Sequence, residues 1–181
     1  MMSKRPGALS PRFSPIAKSF ARWAWRLSRL PRYANCATPG ADTKVPGVVI
    51  DASVALSWLL PDEVETTRGG LIIDAVMARG AIAPGLWRLE VANGLLTAAR
   101  RGRISSEAVE ELLARAARLP IAIDGETTAQ AWGTTIALAQ AHGLTAYDAA
   151  YLELAKRAKL SLASDDQNLR KAATAEAVRL L

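Results

Sequence analysis

The chain has 181 residues, half of them hydrophobic, which is enough for one domain with its own core and an extension. Its single cysteine and single histidine, Cys36 and His142, exclude an intramolecular disulfide and a Cys/His zinc cluster, and they favour a reducing, cytoplasmic location. The apolar runs are short and interrupted, so we expect no transmembrane helix and no stable membrane association.

The net charge of +6 belongs to the N-terminal extension. Residues 1–45 carry nine Lys or Arg residues and one Asp, a net charge of +8, so residues 46–181 carry a net charge of −2. The proline-rich composition predicts a largely disordered segment over 1–45, with one short amphipathic helix over 16–30. Such a basic helix can bind an anionic membrane surface or a partner, and it resembles a transit peptide. We favour an extension that has no bearing on the domain.

Strands alternate with helices along residues 46–181. The apolar patterns and turn residues predict, in chain order, strand 47–51, helices 53–60 and 63–79, strand 81–85, helices 86–102 and 104–119, strand 120–124, helices 127–143 and 145–159, strand 160–164, helix 166–174 and strand 177–181. This order predicts an α/β domain, with a mostly parallel central sheet and helices on both faces.

Acidic residues occur where the predicted strands end. Asp51 ends the first strand, and Asp165 and Asp166 follow "LSLAS". Asp148 lies in the first turn of the helix that leads into that strand. In parallel sheets the active site lies at the carboxyl ends of the strands. Helix capping is the alternative for each of these acids, since Asp is favoured at helix starts.

Glu90 has no capping explanation. It lies in a helix between Leu89 and Val91, on a face that should approach the core. A buried carboxylate without a partner is costly, so a partner is expected, and Arg88 lies too far round the helix to be an obvious one.

Four segments together resemble the PIN-domain ribonucleases of the VapC toxin type. They are "VVIDASVALSWLLPDE", "APGLWRLEVANGLL", "LTAYDAAYLELAKR" and "LSLASDDQNLRKAA", in the family's order and spacing. The resemblance covers about residues 47–181 and none of the extension. It implies a PIN-like three-layer sandwich, a metal-dependent endoribonuclease activity, a cognate antitoxin as partner and a homodimer.

The resemblance also implies roles for individual residues. The metal-binding and catalytic acids would be Asp51, Glu90, Asp148 and Asp166. The supporting residues would be Ser53, Asn93, Ser164 and Asp165. Because the family more often has Thr and a non-acidic residue where Ser164 and Asp165 stand, which of Asp165 and Asp166 faces the metal is left open.

The chemistry of these acids agrees with the implied activity. Three or four carboxylates in one pocket suit Mg²⁺, with Mn²⁺ as a substitute, and such a cation can activate water and neutralise the departing oxygen of a phosphodiester. Candidate RNA-binding residues are four arginines that could contact phosphates and three aromatic residues that could stack on bases: Arg88, Arg100, Arg101, Arg103, Trp58, Trp87 and Tyr147. A solvated basic face and a buried core are the ordinary alternatives for them.

Two other readings of the domain stay open. A degenerate PIN fold could serve as a binding module without catalysis, and a DNA nuclease of related fold would use the same acids. A haloacid-type phosphatase ranks low, because Asp51-Ala-Ser53 lacks the second acid of its Asp-x-Asp motif.

Overall fold

The computed structural model describes residues 47–63 and 67–181. The predicted extension 1–45 and its helix 16–30 lie outside the described residues. The strands are β1 Val48–Ile50, β2 Ala81–Ala83, β3 Ile121–Ile123 and β4 Ser161–Ala163. The helices are α1 Ala52–Leu59, α2 Thr67–Arg79, α3 Trp87–Arg100, α4 Ala108–Ala116, α5 Thr127–Gln130, α6 Thr134–His142, α7 Ala146–Ala158 and α8 Gln167–Ala175.

The four strands form one parallel sheet in the order β3-β2-β1-β4. All three residues of β1 are buried, as expected for a central strand covered on both faces. Helix α7 packs against β1 and β4, while α1, α3 and α4 pack against one another. The predicted α/β class, with a parallel sheet flanked by helices, is confirmed.

Two predicted elements differ from the structure. The predicted helix 127–143 is divided into α5 and α6, because the backbone leaves the helical region at Gly133, with φ −112° and ψ −107°. Trp132, in this break, is 97% exposed. The predicted final strand 177–181 is reduced to a parallel bridge between Leu180 and Leu162 at the outer side of β4. Ala177, with φ +55°, turns the chain just before that bridge.

None of the helices formed by the described residues is long and apolar enough to cross a membrane.

An ion-pair cluster joins α7 to the end of β3. The Arg157 guanidinium donates to Asp124 Oδ2 at 2.8 Å and to Glu153 Oε1 at 2.8 Å. Both carboxylates are buried. Burial raises the pKa of Asp124, but the Arg157 guanidinium and the Thr127 hydroxyl outweigh it, so the net pKa is lowered. This cluster carries none of the predicted site residues and stabilises the fold.

Helices α1 and α3 approach closely at Gly94. A methyl group at this position would overlap the Leu56 side chain, whereas Gly70 in α2 has no atom within 4 Å of where its methyl group would lie. Alanine favours a helix interior over glycine by about 1 kcal/mol, while overpacking costs about 1–3 kcal/mol. We therefore expect Gly70→Ala to raise the free energy of unfolding and Gly94→Ala to lower it. Urea denaturation of the two variants measures this, and an equal gain in both would contradict the close approach.

Replacing Arg157 should leave two buried carboxylates unpaired. Removing one partner of a buried pair costs about 3–5 kcal/mol, and because Arg157 is partly exposed we expect about 2–3 kcal/mol for Arg157→Gln. In the parent protein the lowered pKa of Asp124 contributes stability above pH 3.8 that is lost as the pH falls through the folded value. In Arg157→Gln, Asp124 can avoid carrying a buried charge by taking up a proton. The loss in free energy of unfolding relative to the parent should therefore be largest near neutral pH and shrink on acidification.

Denaturation at several pH values tests this deficit. The exposed Arg101→Gln variant is the control and should change stability by less than about 0.5 kcal/mol. A deficit in Arg157→Gln that does not vary with pH would contradict the role assigned to the pair.

Candidate active site

The candidate site lies at the carboxyl end of the sheet, beside the central strand. Asp51 follows β1 directly, and its backbone N–H donates to the carbonyl of Ala163 in β4 at 2.9 Å. The parallel pairing of β1 with β4 therefore brings the residues after both strands side by side, as the sequence predicts.

Asp51 is a buried carboxylate held by two hydroxyl groups. It is 7% exposed, and its Oδ2 accepts from Ser53 Oγ at 2.6 Å and from Ser164 Oγ at 2.7 Å. It occupies the N-cap position of α1 without a capping hydrogen bond from its side chain. Burial raises its pKa, and the two serine hydroxyls and nearby backbone N–H groups oppose that rise only in part. Helix capping therefore does not explain why a carboxylate stands at position 51.

The two serines join the loops that follow β1 and β4. Besides donating to Asp51, Ser53 Oγ accepts from the N–H of Asp165 at 3.1 Å, and Ser164 Oγ accepts from the N–H of Asp166 at 3.0 Å. Each hydroxyl thus donates to the Asp51 carboxylate and accepts a backbone N–H of the loop after β4, which fixes the rotation of both hydroxyl groups.

The partner of Glu90 is Tyr151, a residue to which the sequence analysis assigned no role. The Tyr151 hydroxyl donates to Glu90 Oε2 across a sequence separation of 61 residues. Burial raises the pKa of Glu90, the tyrosine hydrogen bond lowers it, and the negative charges of Asp51 and Asp148 raise it further. Tyr151 is fully buried, and burial together with Glu90 raises its pKa, so it remains a hydrogen-bond donor. The available signal was its position one turn after Asp148 on α7.

Asp148 is oriented by the residue that caps its own helix. Thr145 Oγ1 accepts from the N–H of Asp148 at 3.1 Å and donates to Asp148 Oδ2 at 2.7 Å. Thr145 therefore caps α7, but the Asp148 carboxylate accepts from the threonine hydroxyl instead of from the backbone N–H that a capping box would use.

Asp165 and Asp166 have different partners. The exposed Asp165 forms an ion pair with Arg68 of α2 at 2.6 Å. Asp166 is the N-cap of α8, and its Oδ1 accepts from the N–H of Leu169 at 2.7 Å. Arg68 could not be predicted from the sequence, because it has no recognisable spacing to either acid.

The donor set suits a hard divalent cation. Asp51 and Asp148 both raise the pKa of Glu90, so each lies close enough for its charge to act on Glu90. Among the described residues, no three His, Cys, Asp or Glu side chains are gathered tightly enough to enclose a metal ion by themselves. Mg²⁺ typically uses one or two carboxylates and keeps several waters, so this looser arrangement fits it.

The remaining candidate residues differ in their exposure and in the residues that they contact. Trp87 lies in the hydrophobic core and cannot stack on RNA bases, which corrects that prediction, whereas Tyr147 is 65% exposed. Arg103 forms ion pairs with Asp62 and Glu63 at 2.7 and 2.6 Å. Asn93 is exposed, one turn after Glu90. His142, the last residue of α6, is half-buried and contacts Glu176 at 2.7 Å.

Comparison with known proteins gives a family match and similar solved structures. The chain is similar in structure to PAE2754 from Pyrobaculum aerophilum, with a TM-score of 0.54 and 21% sequence identity over 72% of this chain and 87% of that one. No curated protein matches the chain significantly. The family model for the PIN domain matches residues 48–175, from β1 to the last residue of α8. This match includes all four predicted acids, and the chain belongs to the PIN-domain family.

Proposed function

We propose that this protein is a magnesium-dependent endoribonuclease of the VapC toxin type. PIN domains are generally nucleases that use divalent cations, which supports the class of reaction. The observation that carries the proposal is the placement of Glu90 at the carboxyl end of the sheet, where Tyr151 donates to it and the charges of Asp51 and Asp148 both raise its pKa. A bound cation would relieve that repulsion at Glu90.

Each proposed ligand is oriented by a neighbour within the chain. Asp51, Glu90 and Asp148 would hold the cation, directly or through its waters. When bound, Mg²⁺ supplies an activated water and neutralises charge on the departing oxygen of the phosphodiester. Hydrogen bonds from Ser53 and Ser164 orient Asp51.

Asp166 is the better candidate for the fourth acid. The carboxylate of Asp165 is engaged by Arg68, whereas Asp166 uses Oδ1 for its cap and has Oδ2 outside that bond. Its backbone N–H is also tied through Ser164 Oγ to Asp51. We propose that Asp166 completes the metal shell or holds a water molecule.

The toxin role adds partners to the proposal. A cognate antitoxin would cover an apolar surface on α1 and α2, where Leu71 is 67% exposed, and the active form would be a cytoplasmic homodimer. Expression in a bacterial host should then arrest growth, and Asp51→Asn should abolish the arrest. Arrest that persists in Asp51→Asn would contradict the toxin role of this site.

The cleavage assay tests the activity directly. With Mg²⁺ or Mn²⁺ the purified protein should cleave a structured RNA pool that includes tRNA, and EDTA should stop it. Asp51→Asn and Asp148→Asn should lower the rate by at least about 100-fold, because each removes a ligand. The exposed acid Glu110 provides the control, Glu110→Gln, which should keep the parental rate.

The outcomes separate the competing functions. Products should carry 5′-phosphate ends, and a 2′,3′-cyclic phosphate would contradict the metal–water mechanism. Cleavage of DNA but not RNA would favour the DNA nuclease, and a folded protein that binds no Mn²⁺ would favour the binding module.

The melting temperature of Asp51→Asn should equal or exceed that of the parent, because the substitution removes a charge whose burial is unfavourable.

Tyr151→Phe should weaken metal binding while keeping the fold. The substitution preserves the buried ring but removes the donor to Glu90, and loss of such an orienting group typically costs 10–100-fold in metal affinity. We expect Mn²⁺ affinity to fall about tenfold by calorimetry. Tyr147→Phe, an exposed position one turn earlier on α7, is the matched control, and equal affinities in the two variants would contradict the role of Tyr151.

A further inference from the structure

Two arginines from different helices converge on one carbonyl group beside the acidic site. Arg68 Nη2 of α2 donates to the carbonyl oxygen of Ser164 at 3.0 Å, and Arg170 Nη1 of α8 donates to the same oxygen at 3.1 Å. A neutral carbonyl does not balance two guanidinium charges. The geometry therefore gathers positive charge at the loop that follows β4.

The positive charge continues along α8 beside an open concavity of about 300 Å³. The described residues that line the concavity include none that is acidic: Gln167, Arg170, Lys171, Thr174 and Leu180. Lys171 is exposed. Arg68 is paired with Asp165 and also donates to the Leu181 oxygen at 2.9 and 3.1 Å, so its charge is already engaged. Among the described residues, Arg170 and Lys171 form no ion pair with a carboxylate, and a concavity lined by these two cations fits an anionic group.

Ser164 connects this cationic surface to the acidic site. Its hydroxyl donates to Asp51 Oδ2, while its carbonyl accepts from the two arginines. The acids and the cations therefore lie on opposite sides of a single residue. Ser164, directly after β4, therefore contacts both Asp51 and Arg170.

We propose that the α8 concavity is a subsite for a backbone phosphate of the RNA, bound by Arg170 and Lys171 next to the cleavage site. This inference rests on the proposed ribonuclease function and names how the substrate is held. The three carboxylates of the site repel a polyanion, and a cationic surface one residue away offsets that repulsion and sets the strand direction. Arginine suits phosphate through paired N–H donors, and lysine adds a point charge.

The test measures RNA binding without cleavage. In the Asp51→Asn background, binding of a fluorescent single-stranded RNA of mixed sequence is followed by anisotropy from about 50 to 200 mM salt, without divalent cations. Lys171→Gln should weaken binding at least threefold at the lowest salt. It should also reduce the slope of log affinity against log salt by about 0.7, the value for one phosphate contact on a single strand.

Two companion variants complete the design. Arg170→Gln should act in the same direction as Lys171→Gln, and if it unfolds because the Ser164 carbonyl loses a donor, Lys171→Gln decides alone. Arg118→Gln is the matched control, an exposed cation just before β3, at the opposite edge and the amino end of the sheet. Its affinity and salt slope should equal those of the Asp51→Asn parent.

The outcomes distinguish failure of the phosphate subsite from failure of the proposed ribonuclease function. Unchanged affinity and slope in Lys171→Gln, with metal-dependent cleavage by the wild type, would overturn the phosphate subsite and leave the ribonuclease standing. No RNA binding together with no cleavage would overturn both. Displacement of the RNA by polyglutamate at equal charge concentration would assign the surface to an acidic protein partner and overturn the RNA subsite.

Discussion

The hydrogen bonds from two serine hydroxyls to one oxygen of Asp51 are the interactions on which the rest of the site depends. They are available because β1 and β4 are parallel neighbours, so that Ser164 arrives beside the residue that ends β1. A hydrogen bond to a charged group contributes about 1.5–3 kcal/mol, which offsets part of the cost of burying the carboxylate. The pKa of Asp51 is still raised, so the offset is incomplete. A cation at this place would supply the remaining stabilisation.

Helix α7 couples the site to the hydrophobic core. Tyr151 is fully buried, and its ring belongs to the core while its hydroxyl reaches Glu90. The same helix presents Asp148 one turn earlier and, through Arg157, binds the end of β3. A rotation of α7 about its axis would therefore displace Asp148, withdraw the Tyr151 hydroxyl from Glu90 and break the ion pair between Arg157 and Asp124. This shared support explains how Glu90 can be held near two other acids that raise its pKa.

The sequence predicted the parts of the site that depend on local rules. Asp51 was recognisable because a charge directly after an apolar strand is unusual, and Asp148 because Thr145 marks the start of its helix. The partner of Glu90 was expected but not identified, since it lies 61 residues away on a helix whose rotation is set by packing. The break before Gly133 was missed because a single glycine is tolerated within a helical pattern, and tertiary packing decided against continuity. The Ser164 carbonyl that gathers two arginines could not be predicted at all, because backbone acceptors carry no sequence signal.

The distribution of charge shows why composition alone misjudges such a domain. A net charge of −2 over residues 46–181 argues against a protein that binds nucleic acid through its whole surface. A nuclease of this kind, however, needs negative charge where a cation binds and positive charge where a neighbouring phosphate lies. The two must be adjacent yet must not neutralise each other. Ser164 meets that requirement, since its hydroxyl donates to Asp51 while its carbonyl, which carries no charge, orients Arg170 without neutralising it. Had a carboxylate stood where that carbonyl stands, the Arg170 guanidinium would be paired with it and much less available to a phosphate.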